Sequence, residues 1–350
     1  MNTISVKWVM CDTFACGPIR GDAIGAILNA RRNGVRMDCK TLLTRSDIPD
    51  ADVIVFQRPI TAEAVTAIEL ARQRGIATVT EFDDDLFALW EHPDKRVSSL
   101  LPAECRASTL AAIKACDRVT ASTRALAEAI QTQAPEKDVW VIENGISMDE
   151  WMEGWVLRKH RLLRGPDKDA VTIGWFASPA HVTDIPVFRA ALEMVLEDSE
   201  HVRFEGICTF GAREFGEKLN GFGDRFVVRE PVPMQDLPRA MSRWDIGICP
   251  LEDTRFNRGK SGLKALQFWA LGLPVVASEV APYECVEHQW NGLKCGRMED
   301  WYAALTELVD RPQEGLLMGA RGRADAATYF NVERRADEWA RLFKDVRAGR

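Results

Sequence analysis

The sequence predicts two α/β domains, each a parallel sheet wound on both faces by helices. Three observations lead there. Short β-branched runs alternate with longer amphipathic stretches, the rhythm of strand and crossover helix; the rhythm occurs twice; and 350 residues, 46% of them apolar, suffice for two cores at roughly 150 residues per domain. In the first half the expected strands are 5–10, 35–42, 52–57, 76–81, 118–121 and 139–142. In the second they are 171–176, 202–207, 225–229, 245–249, 274–277 and 292–295. Three closing helices follow at 300–309, 313–327 and 332–346, the last with Trp339, Leu342 and Phe343 at helical spacing. Residues 149–169 are rich in charge, lack a clean period and contain the turn signal Gly165-Pro166-Asp167, so they are expected to link the domains. The expected division is 1–155, joined by the C-terminal helix 330–350, and 165–325. Two such sheets are expected to face a central cleft at the carboxyl ends of their strands, where ligands of doubly wound folds bind.

Charge and cysteine usage exclude several classes. Lys and Arg number 45 against 52 Asp and Glu, a net charge of −7, which as a whole repels nucleic acid and anionic membrane. No stretch approaches the roughly 18 apolar residues of a membrane span, and the N-terminus lacks a basic region followed by a long apolar one, so a cytoplasmic protein is expected. The nine cysteines form no CxxC pair; neither a zinc site nor a disulfide framework is expected.

The strongest local signal is FNRGKSGLKALQFWALGLP at 256–274, after an expected strand and opening a helix near Ser261. Lys260 and Ser261 at a helix start bring an ammonium, a hydroxyl, backbone N–H groups and a positive dipole end together, which suits a phosphate. The GxxxxGK[ST] spacing is absent, so an ATPase is not indicated. The bland alternative is a helix capped by Ser261 with a solvated lysine. Near the N-terminus CGPIRGDAIG has glycines without GxGxxG spacing, which points away from a dinucleotide cofactor. There Arg20 is expected to suit a phosphate or simply to solvate a first helical turn.

The run KSGLKALQFWALGLPVVAS followed by NGLKCG resembles the nucleotide-sugar segment of GT-B glycosyltransferases of the family 4 type (glycosyl transferases group 1). The fold implied is two Rossmann-like domains with the C-terminal helix crossing back to the first. The activity implied is transfer of a sugar from a nucleoside-diphosphate sugar, of UDP or GDP type, to an acceptor hydroxyl, with retention of anomeric configuration. Two glutamates of that family are replaced, by Gly259 and by Gln267, which as donor and acceptor can still bind a ribose. GWFASPAHVTD at 174–184 resembles the GWxGSxxHxxDL of a subgroup, which brings Ser178 and His181, the latter as a protonated imidazole, to the donor diphosphate; His181 as a mere helix cap is the alternative. PVPMQDLP at 231–238 resembles the loop against the base, implying backbone contacts from Val232. The resemblance thus assigns donor binding to Ser178, Val232, Arg258, Lys260, Ser261, Gly262, Leu263, Lys264 and Gln267.

On the acceptor side, DVIVFQRP and ATVTEFDDDLF look like strand ends of the first domain, with Arg20, Arg58 and Asp85 expected to line it. Asp83 or Asp84 is expected to orient or deprotonate the acceptor hydroxyl, helix capping being the alternative. The catalytic set is therefore Asp83, Asp84, His181 and Lys260. No metal and no cofactor beyond the donor substrate are expected, because GT-B enzymes meet the diphosphate with helix dipoles and cations. Asn144 and Gly145 in VIENGI resemble the family's PNGID, with a positive φ expected at Gly145. A glycan or small molecule is the expected acceptor. The alternatives are a modified DNA base, as small phage transferases use, and a nucleotide-sugar-binding protein without catalysis.

Overall fold

A computed structural model describes residues 3–13, 16–31, 34–43, 48, 50–163 and 170–349. It divides into two compact units, one of Met1–Gly145 with Arg258–Ser261 and Asn331–Arg350, the other of Ile146–Asn257 with Gly262–Phe330. Each contains one six-stranded sheet, and every pairing within the sheets is parallel.

In the first unit β1 (Ile4–Val9), α1 (Ala23–Arg31), β2 (Val35–Lys40), β3 (Val53–Gln57), α2 (Ala62–Gln73) and β4 (Ala77–Phe82) follow in order. After them come the short helices α3 (Leu86–Trp90) and α4 (Lys95–Ser98), then α5 (Cys105–Ala115), β5 (Arg118–Ala121), α6 (Arg124–Gln133) and β6 (Val139–Val141). The sheet order is β2-β1-β3-β4-β5-β6. β3 and β4 are buried along their whole length, as strands covered on both faces must be, and accordingly read as apolar or Thr-bearing runs up to Gln57 and Glu81 near their ends.

The second unit begins with α7 (Met152–Leu163), then β7 (Val171–Ala177), α8 (Ile185–Asp198), β8 (Val202–Cys208), α9 (Glu217–Asn220), β9 (Phe226–Arg229), α10 (Leu237–Met241) and β10 (Ile246–Cys249). α11 (Arg255–Arg258) straddles the division, and α12 (Leu263–Ala270), β11 (Val275–Ser278), β12 (Gly292–Cys295), α13 (Met298–Asp310) and α14 (Pro312–Tyr329) complete the unit. Its order, β12-β11-β10-β7-β8-β9, is the doubly wound Rossmann order. One face is sealed by Trp175, Phe188, Phe204, Phe215 and Trp301, the other by Trp244, Phe268, Trp269 and Leu271.

The last helix, α15 (Val332–Ala348), belongs to the first unit, as the crossing helix of the expected fold should. Asn331 caps it by accepting from Arg334 N at 2.9 Å. Its Trp339 meets Trp8 of β1 edge to face, with ring centroids 4.7 Å apart, a geometry the ring quadrupoles favour.

Every expected strand is present within about two residues of its expected ends. Two expectations fail. The segment taken as an irregular linker holds α7, a regular helix of the second unit; its Gly-Pro-Asp signal lies outside the described residues. Gly145 is also not among the positive-φ residues. It is a glycine because a Cβ there would lie 2.7 Å from Val332 Cα, at the docking point of α15.

Candidate functional site

In a doubly wound sheet the crevice for a ligand opens where the strand order reverses, beyond the carboxyl ends of the two strands that flank the reversal. That point lies between β1 and β3 in the first unit and between β7 and β10 in the second. The loops leaving these strands carry most of the candidate residues.

In the first unit the chain leaves β3 through Arg58, which takes φ 44°. This left-handed conformation is uncommon for a side chain with a Cβ, and such strain concentrates at functional positions. Its guanidinium forks onto the end of β4: Nε pairs with Asp83, and Nη2 with Asp84 Oδ2 at 2.7 Å. The same Nη2 donates to Cys16 Sγ at 3.1 Å. Burial by itself raises the Asp83 carboxyl, but the Arg58 charge and hydrogen bond outweigh it and leave the group more acidic than usual. Burial drives the Cys16 thiol well above its ordinary range, which disfavours the thiolate. Asp84 is the more open carboxylate, its side chain 24% exposed against 8% for Asp83. Lys260, in the segment that groups with this unit, lies 3.5 Å from Asp84 Oδ1.

Asp85 settles the capping question for the triple aspartate. It is 2% exposed, and its Oδ1 accepts from Ala88 N at 2.9 Å, so it caps α3 and is placed as a structural residue, not on an open acceptor face. Asp83 and Asp84 take no part in that cap.

Beneath this pair lies a second charge pair. Arg20, expected to face a phosphate, is instead 2% exposed and bound on the inside. It donates from Nε to Glu81 Oε1 at 2.8 Å, and from Nη1 to Ile142 O at 2.7 Å and Asn144 Oδ1 at 3.2 Å. Burial, only partly offset by Arg20, pushes the Glu81 carboxyl up to about 7. Asn144 then donates to Ser261 Oγ at 2.7 Å, and Thr123 donates to Gly259 O at 2.9 Å. These bonds seat the Arg258–Ser261 segment on the first unit. Ser261 is thereby not the cap of α12; that position is Gly262, which has no capping side chain. A Cβ on Gly262 would lie 2.7 Å from Pro282 O, so close approach of two backbones selects glycine here.

In the second unit β7 runs out into a 3-10 turn, Pro179–Asp184, whose preceding Ser178 is exposed and makes no capping bond through its side chain. Positions three apart eclipse in such a turn, which puts His181 and Asp184 on one face. His181 Nδ1 lies 2.7 Å from Asp184 Oδ2, and His181 Nε2 lies 2.6 Å from Lys264 Nζ. His181 is 5% exposed and Asp184 fully buried. Lys264 stands in the first turn of α12, 5.3 Å above the Phe176 ring. The amides of that turn have no intrahelical acceptor and sit at the positive end of the helix dipole. The second unit therefore gathers an ammonium, helix-start N–H groups and the Ser178 hydroxyl around the switch point, a set that fits a phosphate.

Of the remaining donor-side candidates, Gln267 is buried on α12 one turn after Leu263, Val232 is half-buried against the Trp244–Phe268 core, and Arg258 is exposed at the end of α11. Glu81, Cys16 and Asp184 carry no site assignment from the sequence. For Asp184 the signal was present, a His and an Asp three apart after a strand. Glu81 and Arg20 are 61 residues apart and carry no local pattern. Among the described residues no group of three or more His, Cys, Asp or Glu is placed to hold a metal ion.

Residues 167–311 match the family model of glycosyl transferases group 1. Compared with curated proteins, the chain matches none. Among solved structures, sucrose-phosphate synthase (tll1590) from Thermosynechococcus elongatus is similar with a TM-score of 0.72 at 14% identity, over 100% of each chain. Anabaena Alr3699/HepE in complex with UDP-glucose is similar with a TM-score of 0.69 at 15% identity, over 98% of this chain and 100% of that one. A glycosyltransferase from Rickettsia africae ESF-5 gives 0.67 at 13%, over 99% of each. At these identities the likeness establishes the fold, two Rossmann-like domains of the GT-B type.

Proposed function

We propose that this chain, built on the GT-B fold with a glycosyl transferases group 1 domain over residues 167–311, moves a sugar from a nucleoside-diphosphate sugar to an acceptor hydroxyl. The observation that carries this reading is Lys264: an ammonium in the first turn of α12, beside the switch point of the second sheet and held by His181. A departing diphosphate develops negative charge, and fixed positive groups that await it lower the barrier without reorganisation. Lys264, the amides of Gly262 and Leu263 and the Ser178 hydroxyl supply them. Lys260 and Arg258 flank the same stretch of chain. Gln267 is assigned to the ribose and the backbone at Val232 to the base, which we take as uracil or guanine. Met by these groups, the diphosphate requires no metal in this reading.

The first unit is assigned the acceptor. Asp84, the partly exposed carboxylate that follows β4 and pairs with Arg58 of the switch point, is suited to accept a hydrogen bond from an incoming hydroxyl, while Arg58 and Asp83 hold it in place. Asp83, paired with Arg58 and nearly closed to solvent, is read as holding Arg58 in place, and the transfer is read as retaining, as in the family 4 type that the sequence resembles. The acceptor is read as a glycan or small molecule, in keeping with the net charge of −7.

The test is a thermal-shift screen against UDP, GDP, ADP and dTDP sugars and their free diphosphates, with and without Mg²⁺. Saturation at about 100 times Kd should stabilise by close to 3 kcal/mol. Selectivity for one base, unchanged by Mg²⁺, supports the reading; no shift with any of them removes it. The anomeric proton of the product, read by NMR, decides retention.

A further inference from the structure

The chain of contacts through His181 has a direction. Asp184 Oδ1 already accepts from Glu252 N at 2.8 Å and from Asn257 Nδ2 at 2.9 Å, and its Oδ2 faces His181 Nδ1 at 2.7 Å. An ionised carboxylate only accepts, so the proton of that contact sits on Nδ1. Across the ring, Nε2 faces Lys264 Nζ at 2.6 Å. An ammonium only donates, so Nε2 must present a lone pair. One form of imidazole satisfies both ends, the neutral ring with the proton on Nδ1. A doubly protonated ring would set N–H against the ammonium, and the opposite tautomer would fail at both contacts.

The anchoring reaches two loops. Asp184 ends the turn that follows β7, while Glu252 and Asn257 lie in the segment that follows β10, the two strands that flank the switch point of this unit. The carboxylate thus ties the two strand-end loops together and fixes the ring that carries Lys264. Orientation of a histidine by a carboxylate on its far nitrogen is a recurrent way of setting tautomer and aim in functional sites.

We propose that Asp184 and His181 are positioning residues that aim Lys264 at the donor diphosphate, with His181 acting as a neutral acceptor and not as a cation. This rests on Lys264 being the diphosphate ligand. The ring itself does not meet the phosphate; its role is to hold the ammonium at one place above the start of α12.

The experiment combines ring ¹⁵N NMR of histidine-labelled protein with titration by UDP and by GDP. His181 is assigned by loss of its signals in His181→Gln, and the wild type is expected to show protonated Nδ1 and unprotonated Nε2 at neutral pH. In Asp184→Asn the amide oxygen stays on Glu252 and Asn257, so its NH₂ turns toward Nδ1. The ring then moves its proton to Nε2, a donor meets Lys264, and diphosphate affinity falls by about tenfold or more. His181→Gln, whose carbonyl can take the place of Nε2 as acceptor, should stay within about threefold of wild type, whereas His181→Ala should fall with Asp184→Asn. A purely structural role would not separate Gln from Ala in this way. A wild-type ring protonated at Nε2, or an inverted tautomer in Asp184→Asn with unchanged affinity, overturns the proposal. A correct wild-type tautomer with neither UDP nor GDP bound overturns the donor reading instead, which the NMR arm distinguishes.

Discussion

The two sheets present opposite chemistry at equivalent places. At the switch point of the first, a guanidinium is shared by two carboxylates, Asp83 and Asp84. At that of the second, an ammonium rests on a histidine ring, and the carboxylate stands one group further back. An arginine neutralised by two aspartates has little attraction left for an anion, whereas an ammonium that leans on a neutral ring keeps its charge for one. The distance of the carboxylates from the cation thus sets the charge that each sheet end presents.

That contrast is most strongly disturbed by removing the partner of a buried charge. Asp83→Ala leaves Arg58 without its Nε partner and should cost about 3–5 kcal/mol of stability, read as a lower urea midpoint; a change under about 1 kcal/mol would show that the fork is solvated in practice. Next is Lys264→Ala, which should lower kcat by about 10²–10³-fold, the loss typical of one preorganised charge at a developing anion, while the urea midpoint stays near wild type. Asp84→Asn should raise the acceptor KM by about tenfold, the scale of one hydrogen bond to a charged group, and leave diphosphate affinity unaltered. An equal loss of donor affinity would erase the division of labour between the units.

A pH-dependent effect belongs to Glu81. Its folded carboxyl, raised by burial to about 7, binds a proton that the unfolded chain has released above roughly 4.3. Its contribution to stability is therefore fully present below the unfolded value and is lost as pH rises through about 7, with a slope of at most about 1.4 kcal/mol per pH unit for one proton. Unfolding of Glu81→Gln between pH 4.5 and 7.5 should show this slope removed; an identical slope would place the titration elsewhere.

The strands were legible because burial on both faces demands the β-branched runs that the sequence displays. α7 was not, for a reason visible in its packing. The buried residues on it are Gly154 and Arg158, so no apolar stripe marks the docked face. A Cβ at Gly154 would lie 2.3 Å from Pro238 O, and Arg158 donates to Trp244 O at 3.4 Å. The helix is held by close backbone approach and a buried guanidinium, signals that periodicity does not register. In the site, Lys260, Ser261 and Lys264 were found through a helix start. Their separate neighbours, Asp84, Asn144 and His181, are set by tertiary contacts and had to be seen. Likewise Asp85 shares a tripeptide with Asp83 and Asp84, and only the entry to α3 tells the cap from the ion pairs.

The most direct test of the central claim is release of nucleoside diphosphate from a panel of UDP and GDP sugars, by the wild type and by Lys264→Ala. The expected result is release from donors of one base by the wild type, slowed by about 10²-fold or more in the variant. Binding without release by the wild type, or equal rates in both proteins, would contradict it.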